Sequence, residues 1–233
     1  NAEMALAVAD RAYVMESGKI TLTGTLLVFF LSAGAFYILE GDRAFAGASA
    51  GDQLLMAAFQ AVTPRTAGFN TVDLRSLSAS GTLLTMVLMF IGAGSGSTGG
   101  GIKVNTFAVL VLSALARVRR REDVDLFGRR LDEEDIHKAF SSVSMYFMVC
   151  IAGCMVLCLQ GIALDDALFE SISAMGTVGL TRGITATLPA FSKITVTLMM
   201  FAGRVGSMSV AMAITRDRPR SRLRNVPEKI LIG

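Results

Sequence analysis

Two short glycine motifs recur along this chain at one fixed spacing. Thr66-Ala67-Gly68-Phe69 returns as Thr177-Val178-Gly179-Leu180, and Met89-Phe90-Ile91-Gly92 returns as Met200-Phe201-Ala202-Gly203. Both recurrences are offset by 111 positions (Gly68 to Gly179, Gly92 to Gly203), so one structural unit occurs twice with its two landmarks equally spaced. Glycine lets the backbone turn its carbonyls in directions closed to other residues. Each motif also carries a threonine oxygen two positions before its glycine. Backbone carbonyls and hydroxyls in an apolar setting suit the replacement of water around a cation. Gly68 and Gly179 are the two positions expected to tolerate replacement least.

The elements around these motifs must cross a membrane. Hydrophobic residues make up 52% of the 233, only 18% are charged, and the mean hydropathy is +0.56. Ile20 to Leu39 is uncharged and long enough for one bilayer crossing. Residues 76 to 116 carry one charge, Lys103. As one helix they would reach roughly 60 Å, about twice the hydrocarbon thickness. A break is therefore expected at the glycine-rich run from Gly92 to Gly101. Ala139 to Leu164 and Ile194 to Thr215 complete the spans, the last interrupted only by Arg204. Two shorter apolar stretches, Gln53 to Thr63 and Ala167 to Gly176, are half a crossing each, follow Asp52 and Asp166 as expected N-caps, and run into the Thr-x-Gly motifs. The expected fold is an all-α integral membrane protein with two repeats of helix, re-entrant pore helix, filter loop and helix. The second helix of the first repeat is broken by the glycine-rich loop.

Charge placement gives an expected orientation. Arg117, Arg119, Arg120, Arg121, Arg129 and Arg130 crowd the link between the repeats, and Arg216, Arg218, Arg220, Arg222 and Arg224 follow the last span. Excess Lys and Arg mark the cytoplasmic side. The opposite loops carry Glu40, Asp42, Arg43, Asp52, Asp165 and Asp166, acidic enough to concentrate cations at an outer mouth. The expected segments are 1–18, a cytoplasmic linker and the end of a preceding helix; 19–117, one repeat; 118–138, a cytoplasmic linker; 139–216, the second repeat; and 217–233, a cytoplasmic tail.

Other motifs yield less. Gly94-Ser-Gly-Ser-Thr-Gly99 fits the G-x-G-x-x-G string, but it follows a membrane-length run instead of a short strand, so a gating loop in the inner pore is the better reading than a dinucleotide site. Arg204 is expensive inside a membrane and is expected to have a role there, as an electrostatic barrier or a partner of that loop. By the 111 offset it corresponds to Ala93, inside the loop, which sets both at one depth. Lys103 is a second such charge or snorkels to the interface. Cys150, Cys154 and Cys158 fall on one helix face, where packing is favoured over a metal site. His137 lies in a charged stretch and is expected to be solvated. No paired acid, base or nucleophile suggests an enzyme.

The motifs Arg65-Thr-Ala-Gly-Phe-Asn-Thr71, Gly96-Ser-Thr-Gly-Gly-Gly-Ile-Lys103, Gly176-Thr-Val-Gly-Leu180 and Gly203-Arg-Val-Gly206 resemble those of the Trk/Ktr/HKT superfamily of potassium transporters. The closing Pro227-Glu-Lys-Ile-Leu-Ile-Gly233 looks most like a Ktr-type membrane subunit. That family builds its pore from four helix, half-helix, helix repeats. The resemblance implies that Thr66, Ala67, Gly68, Phe69 and Asn70, with Thr177, Val178, Gly179, Leu180 and Thr181, form its third and fourth filter segments. It makes Gly92, Gly94, Gly96, Ser97, Thr98, Gly99, Gly100, Gly101 and Lys103 the intramembrane gate, and Arg204 the pore arginine. It implies potassium as the ion at the filter carbonyls, sodium as a stimulating ion, and no organic cofactor on this chain. A homodimer in the plasma (inner) membrane, in contact with lipid and seated on a cytoplasmic nucleotide-binding regulatory ring, is the implied assembly, with no nucleic-acid partner. Only two of the four repeats are present, so the chain reads as the C-terminal half of a longer transporter, with two copies pairing into a four-segment pore as the alternative. A non-conducting membrane anchor that recruits a partner through its arginine-rich segments is the competing expectation.

Overall fold

The structure, a computed structural model, describes residues 2–94, 97, 99–120, 125–126 and 129–206, with side chains from residue 18 onward and backbone alone at 125, 126 and 129. Gly96 and Thr98 of the glycine run, Arg121, the arginines from Arg216 to Arg224 and the tail 217–233 lie outside the described residues.

Helix α1 spans Ala2–Glu40. It continues without a break through position 18, so the expected segment boundary there is not marked by any interruption of the helix. From Gly18 to Glu40 its mean hydropathy is 2.0 over a membrane-length window. Helix α2, Ala50–Val62, is capped by Ser49, whose Oγ accepts from the Asp52 N–H at 3.2 Å. The expectation of Asp52 as N-cap is thus corrected. Asp52 lies in the first turn, where its negative charge meets the positive end of the helix dipole. Pro64 ends α2 just beyond its C-cap, since proline has no N–H to continue the ladder.

The run from 76 to 116 does break. Helix α3 is Ala79–Phe90 and helix α4 is Val104–Val118, with Ile91 and Ile102 pairing in a parallel bridge across the glycine-rich segment between them. Helix α3 starts at Ser78, and there a fully buried Glu40 from the end of α1 accepts hydrogen bonds from Ser78 N (3.1 Å) and Ser78 Oγ (2.5 Å). Glu40 was expected to be an outer-surface charge. It is instead committed to an internal helix start, where aligned N–H groups favour an anion.

After α4 come two strands of two residues each, β1 (Asp125–Leu126) and β2 (Arg129–Arg130), paired antiparallel. This short pairing departs from an all-α chain, and it falls in the polar link where no apolar period dictates helix. Helix α5, Glu133–Leu159, begins six residues before the uncharged span, because Asp132 caps it and Glu133, Glu134 and Asp135 fill its first turn. Its mean hydropathy reaches 2.2 in a membrane-length window. Helix α6 is Leu164–Gly176, and Ala163, not Asp166, occupies its N-cap; Asp165 and Asp166 again lie in the first turn. Helix α7 is Ala190–Val205.

Long helix, short helix, loop and third helix thus occur in order twice. Helix α1 packs on α2, α3 and α4, while α5, α6 and α7 pack on one another, and two contacts join the groups, α3 against α6 and α4 against α5. Cys150 and Cys154 are buried with Leu157, Met175 and Met199 in the α5–α7 core. Leu74, Leu77, Met86 and Met89 meet Phe169, Val178 and Leu180 in the seam between the groups. Outward faces stay apolar: Leu22, Phe30 and Ile38 on α1, Met148 and Met155 on α5, and Leu198 and Phe201 on α7 are all exposed. Faces of that kind suit lipid or further protein and not water.

Candidate ion site at the two Thr-x-Gly loops

Helices α2 and α6 each end at a Thr-x-Gly loop, so the negative ends of both dipoles fall where the loops begin. Helix α6 finishes in a Schellman turn: Thr177 N donates to Ala174 O and Val178 N to Ser173 O, both at 3.0 Å. After α2, Thr63 O accepts from Ala67 N (3.2 Å) and Gly68 N (3.0 Å). In both loops the threonine and the glycine take left-handed backbone: φ is 70° at Thr66 and 75° at Gly68, 52° at Thr177 and 88° at Gly179. A β-branched residue rarely adopts positive φ, and such outliers gather at functional sites. Alternation of positive with negative φ turns successive peptide carbonyls toward one side of the strand.

Next, hydroxyls of the short helices fix the loop exits. Thr63 Oγ1 donates to Phe69 O at 2.5 Å, and Ser173 Oγ donates to Leu180 O at 2.6 Å. One lone pair of each of these carbonyls is thereby used inside the protein. The Thr66, Ala67, Thr177 and Val178 carbonyls are left as better candidates for facing an ion than those of Phe69 and Leu180. The two loops touch: a Cβ built on Gly68 would stand 2.1 Å from Val178 O, so only glycine fits there. Val178 and Leu180 are buried, whereas Phe69 is 71% exposed. Asn70 and Thr181 line one cleft together with Asp73, Arg75 and Arg182.

The glycine-rich segment lies against the same two threonines. Gly100 N donates to Thr177 Oγ1 at 2.8 Å, and a Cβ on Gly99 would sit 2.6 Å from Thr66 Oγ1. Gly92 pairs closely with Gly100 and Gly101 across the base of the loop. Lys103 closes the segment from within, its ammonium donating to Ser97 O (3.1 Å) and to Gly99 O. Gly94 abuts Thr21 of α1. Gly203 and Gly206 line a cavity of about 180 Å³ with Gly101, Ile102 and Lys103, which sets the end of α7 beside the loop. Arg204, exposed within that turn, is near enough for its charge to act on the Lys103 ammonium.

Two positioning groups escaped the sequence reading. Arg65 donates from Nη2 to Thr25 Oγ1 (3.3 Å) and from Nη1 to Thr25 O (3.5 Å), tying the start of the first loop to α1. An arginine in an apolar setting is itself the signal, since such charges rarely lack a role. The other is Arg182, whose Nη1 reaches Asp165 at 2.7 Å and Asp166 at 2.9 Å. Its guanidinium holds the Asp165 carboxyl below its ordinary pKa.

With that geometry in view, the comparisons with known proteins define the class. The model of the family described as TrkH, cation transport protein, matches residues 11–224. This chain belongs to that family, one of membrane transporters and not of enzymes. It is 36% identical to the Ktr system potassium uptake protein B of Vibrio alginolyticus, over 86% of this chain and 45% of that protein. With the Ktr system potassium uptake protein B of Bacillus subtilis (strain 168) it shares 35% identity, over 92% of this chain and 49% of the relative. The fold matches the crystal structure of the potassium transporter TrkH from Vibrio parahaemolyticus with a TM-score of 0.72 and 21% identity, covering 86% of this chain and 44% of that one. The chain spans about half the length of the curated relatives it matches.

Proposed function

We propose that this chain lines half of a potassium-selective path through the plasma membrane. The observation that carries this is the pair of Thr-x-Gly loops with positive φ at Thr66, Gly68, Thr177 and Gly179, each at the C-terminus of a short helix. In such a site, loop carbonyls stand in for the water around a desolvated cation, and two helix dipoles favour its positive charge. Residues 66–70 and 177–181 form the filter segments. Two segments leave an ion open on its other sides, which are lined by another part of the transporter. The choice of potassium follows the relatives named as potassium uptake proteins.

The glycine-rich segment, latched to Thr177 and Lys103, is the gate on this path, and Arg204 beside it discourages cations until the segment moves. Basic residues from Arg117 to Arg130 face the cytoplasm, which puts Asp165, Arg182 and the outer cleft outside. Residues 19–117 and 139–216 act as the two repeats, with 118–138 and 217–233 as the cytoplasmic parts. A homodimer on a nucleotide-binding ring suits the arginine-rich cytoplasmic side, and any nucleotide acts there.

The test is rubidium uptake in cells without their own potassium uptake, expressing the intact transporter. Uptake competed by potassium well ahead of sodium is expected. Equal competition by both ions would reduce the reading to an unselective cation path, and no uptake despite membrane insertion would overturn it.

A further inference from the structure

Glu170 is a carboxylate inside α6 that the proposed ion path does not use. It is 5% exposed, lies two turns before the end of the helix, and has no ion-pair partner among the described residues. Burying such a group costs several kcal/mol unless it is well bonded. Its Oε1 accepts from Thr185 Oγ1, while Oε2 has no partner among the described residues. Thr185 Oγ1 lies 2.8 Å from Thr181 Oγ1. A hydroxyl has one proton to give. Thr185 spends it on Glu170, so the Thr181 hydroxyl donates to Thr185. Gly183 N in turn donates to Thr181 Oγ1 at 3.0 Å.

The far end of the second filter segment is therefore held twice by α6. Ser173 takes the Leu180 carbonyl, and Glu170 takes Thr181 through Thr185. At the 111 offset the first segment has Phe59, Asn70 and Leu74 in place of Glu170, Thr181 and Thr185, with Leu74 buried. Among the described residues, the polar tether occurs on one side of the site. We propose that Glu170 is a positioning residue for the second filter segment, acting through Thr185 and Thr181 to set the size of the ion the loop accepts. It rests on the reading of residues 177–181 as a filter.

The experiment measures the ratio of rubidium to sodium uptake by the intact transporter, a ratio independent of how much protein reaches the membrane. Glu170→Ala and Thr185→Val should each lower it about fivefold, the scale of one lost hydrogen bond. Glu170→Gln retains an oxygen for the Thr185 hydroxyl and should keep the ratio within about twofold. Should Glu170→Ala fail to accumulate, Thr185→Val, a change outside the helix, decides alone. A wild-type ratio in Thr185→Val, or a Glu170→Gln as unselective as Glu170→Ala, would overturn the tether. Wild-type protein that carries neither ion would overturn the filter reading and the tether with it.

Discussion

Thr177 joins the two halves of the proposed site at the level of single atoms. Its backbone takes positive φ at the turn of the second Thr-x-Gly loop, and its hydroxyl holds Gly100 of the glycine-rich segment. Replacing it with valine keeps the shape but removes the acceptor, leaving Gly100 N without that bond. Initial rubidium uptake should rise by about fivefold as the latch weakens, with serine restoring the wild-type rate. Equal rates in all three forms would show that the hydroxyl does not hold the gate. Asp165 offers a second, weaker test. Its carboxyl is held below the ordinary value by Arg182, so the pair contributes above the unfolded pKa of 3.8 and is lost as pH falls through the lower folded value. Its side chain is 62% exposed, which limits the gain to roughly 0–1 kcal/mol. Asp165→Asn should lower the unfolding temperature slightly near neutral pH, and the difference from wild type should shrink below about pH 4. A difference that grows on acidification would contradict the pairing.

Among the elements, the join between α1 and α3 is the most dependent on one residue. Glu40 is the acceptor for both the N–H and the hydroxyl of Ser78, at the start of α3. Glu40→Ala strands these donors in a buried setting and should cost about 1–3 kcal/mol, read as a lower midpoint of thermal unfolding in detergent. An unchanged midpoint would mean that water or a neighbour replaces the carboxylate. Nothing in the sequence marks Glu40 as internal, since an acid after an apolar span reads as the first residue in water; only the approach of Ser78, 38 positions later, buries it. The two long spans and the glycine break at Gly92 to Gly101 were legible, because uncharged runs and glycine runs are one-dimensional signals; of the span expected over Ile194 to Thr215, the described residues form helix to Val205, and 207–215 lie outside them. The caps were not. An aspartate at the N-cap and one in the first turn leave the same composition, and Ser49 and Ala163 were passed over for Asp52 and Asp166. Positive φ was expected of the glycines, but Thr66 and Thr177 share it, a conformation that residue type argues against. The turn at the helix end imposes it, not local propensity.

For the molecule as a whole, two groups of helices meet along the seam formed by Met86, Met89, Phe169, Val178 and Leu180. The seam brings Gly68 against Val178 and stacks the glycine-rich segment on both threonines, so the two loops and that segment form one packed unit. Repetition in the sequence foretold two loops, but not that they touch. The central claim, that backbone conformation in these loops makes the ion path, is tested most directly at Gly179. A methyl there meets open space, with nothing within 4 Å, yet φ is 88° and disfavours any L side chain. Gly179→Ala therefore perturbs backbone preference and little else. The measurement is rubidium uptake, with sodium competition, by the intact transporter carrying this change. We expect normal membrane insertion with uptake cut by about tenfold or discrimination against sodium lost, the effect of roughly 1–2 kcal/mol at a left-handed residue. Uptake and selectivity equal to wild type would show that ions pass elsewhere and would contradict the account.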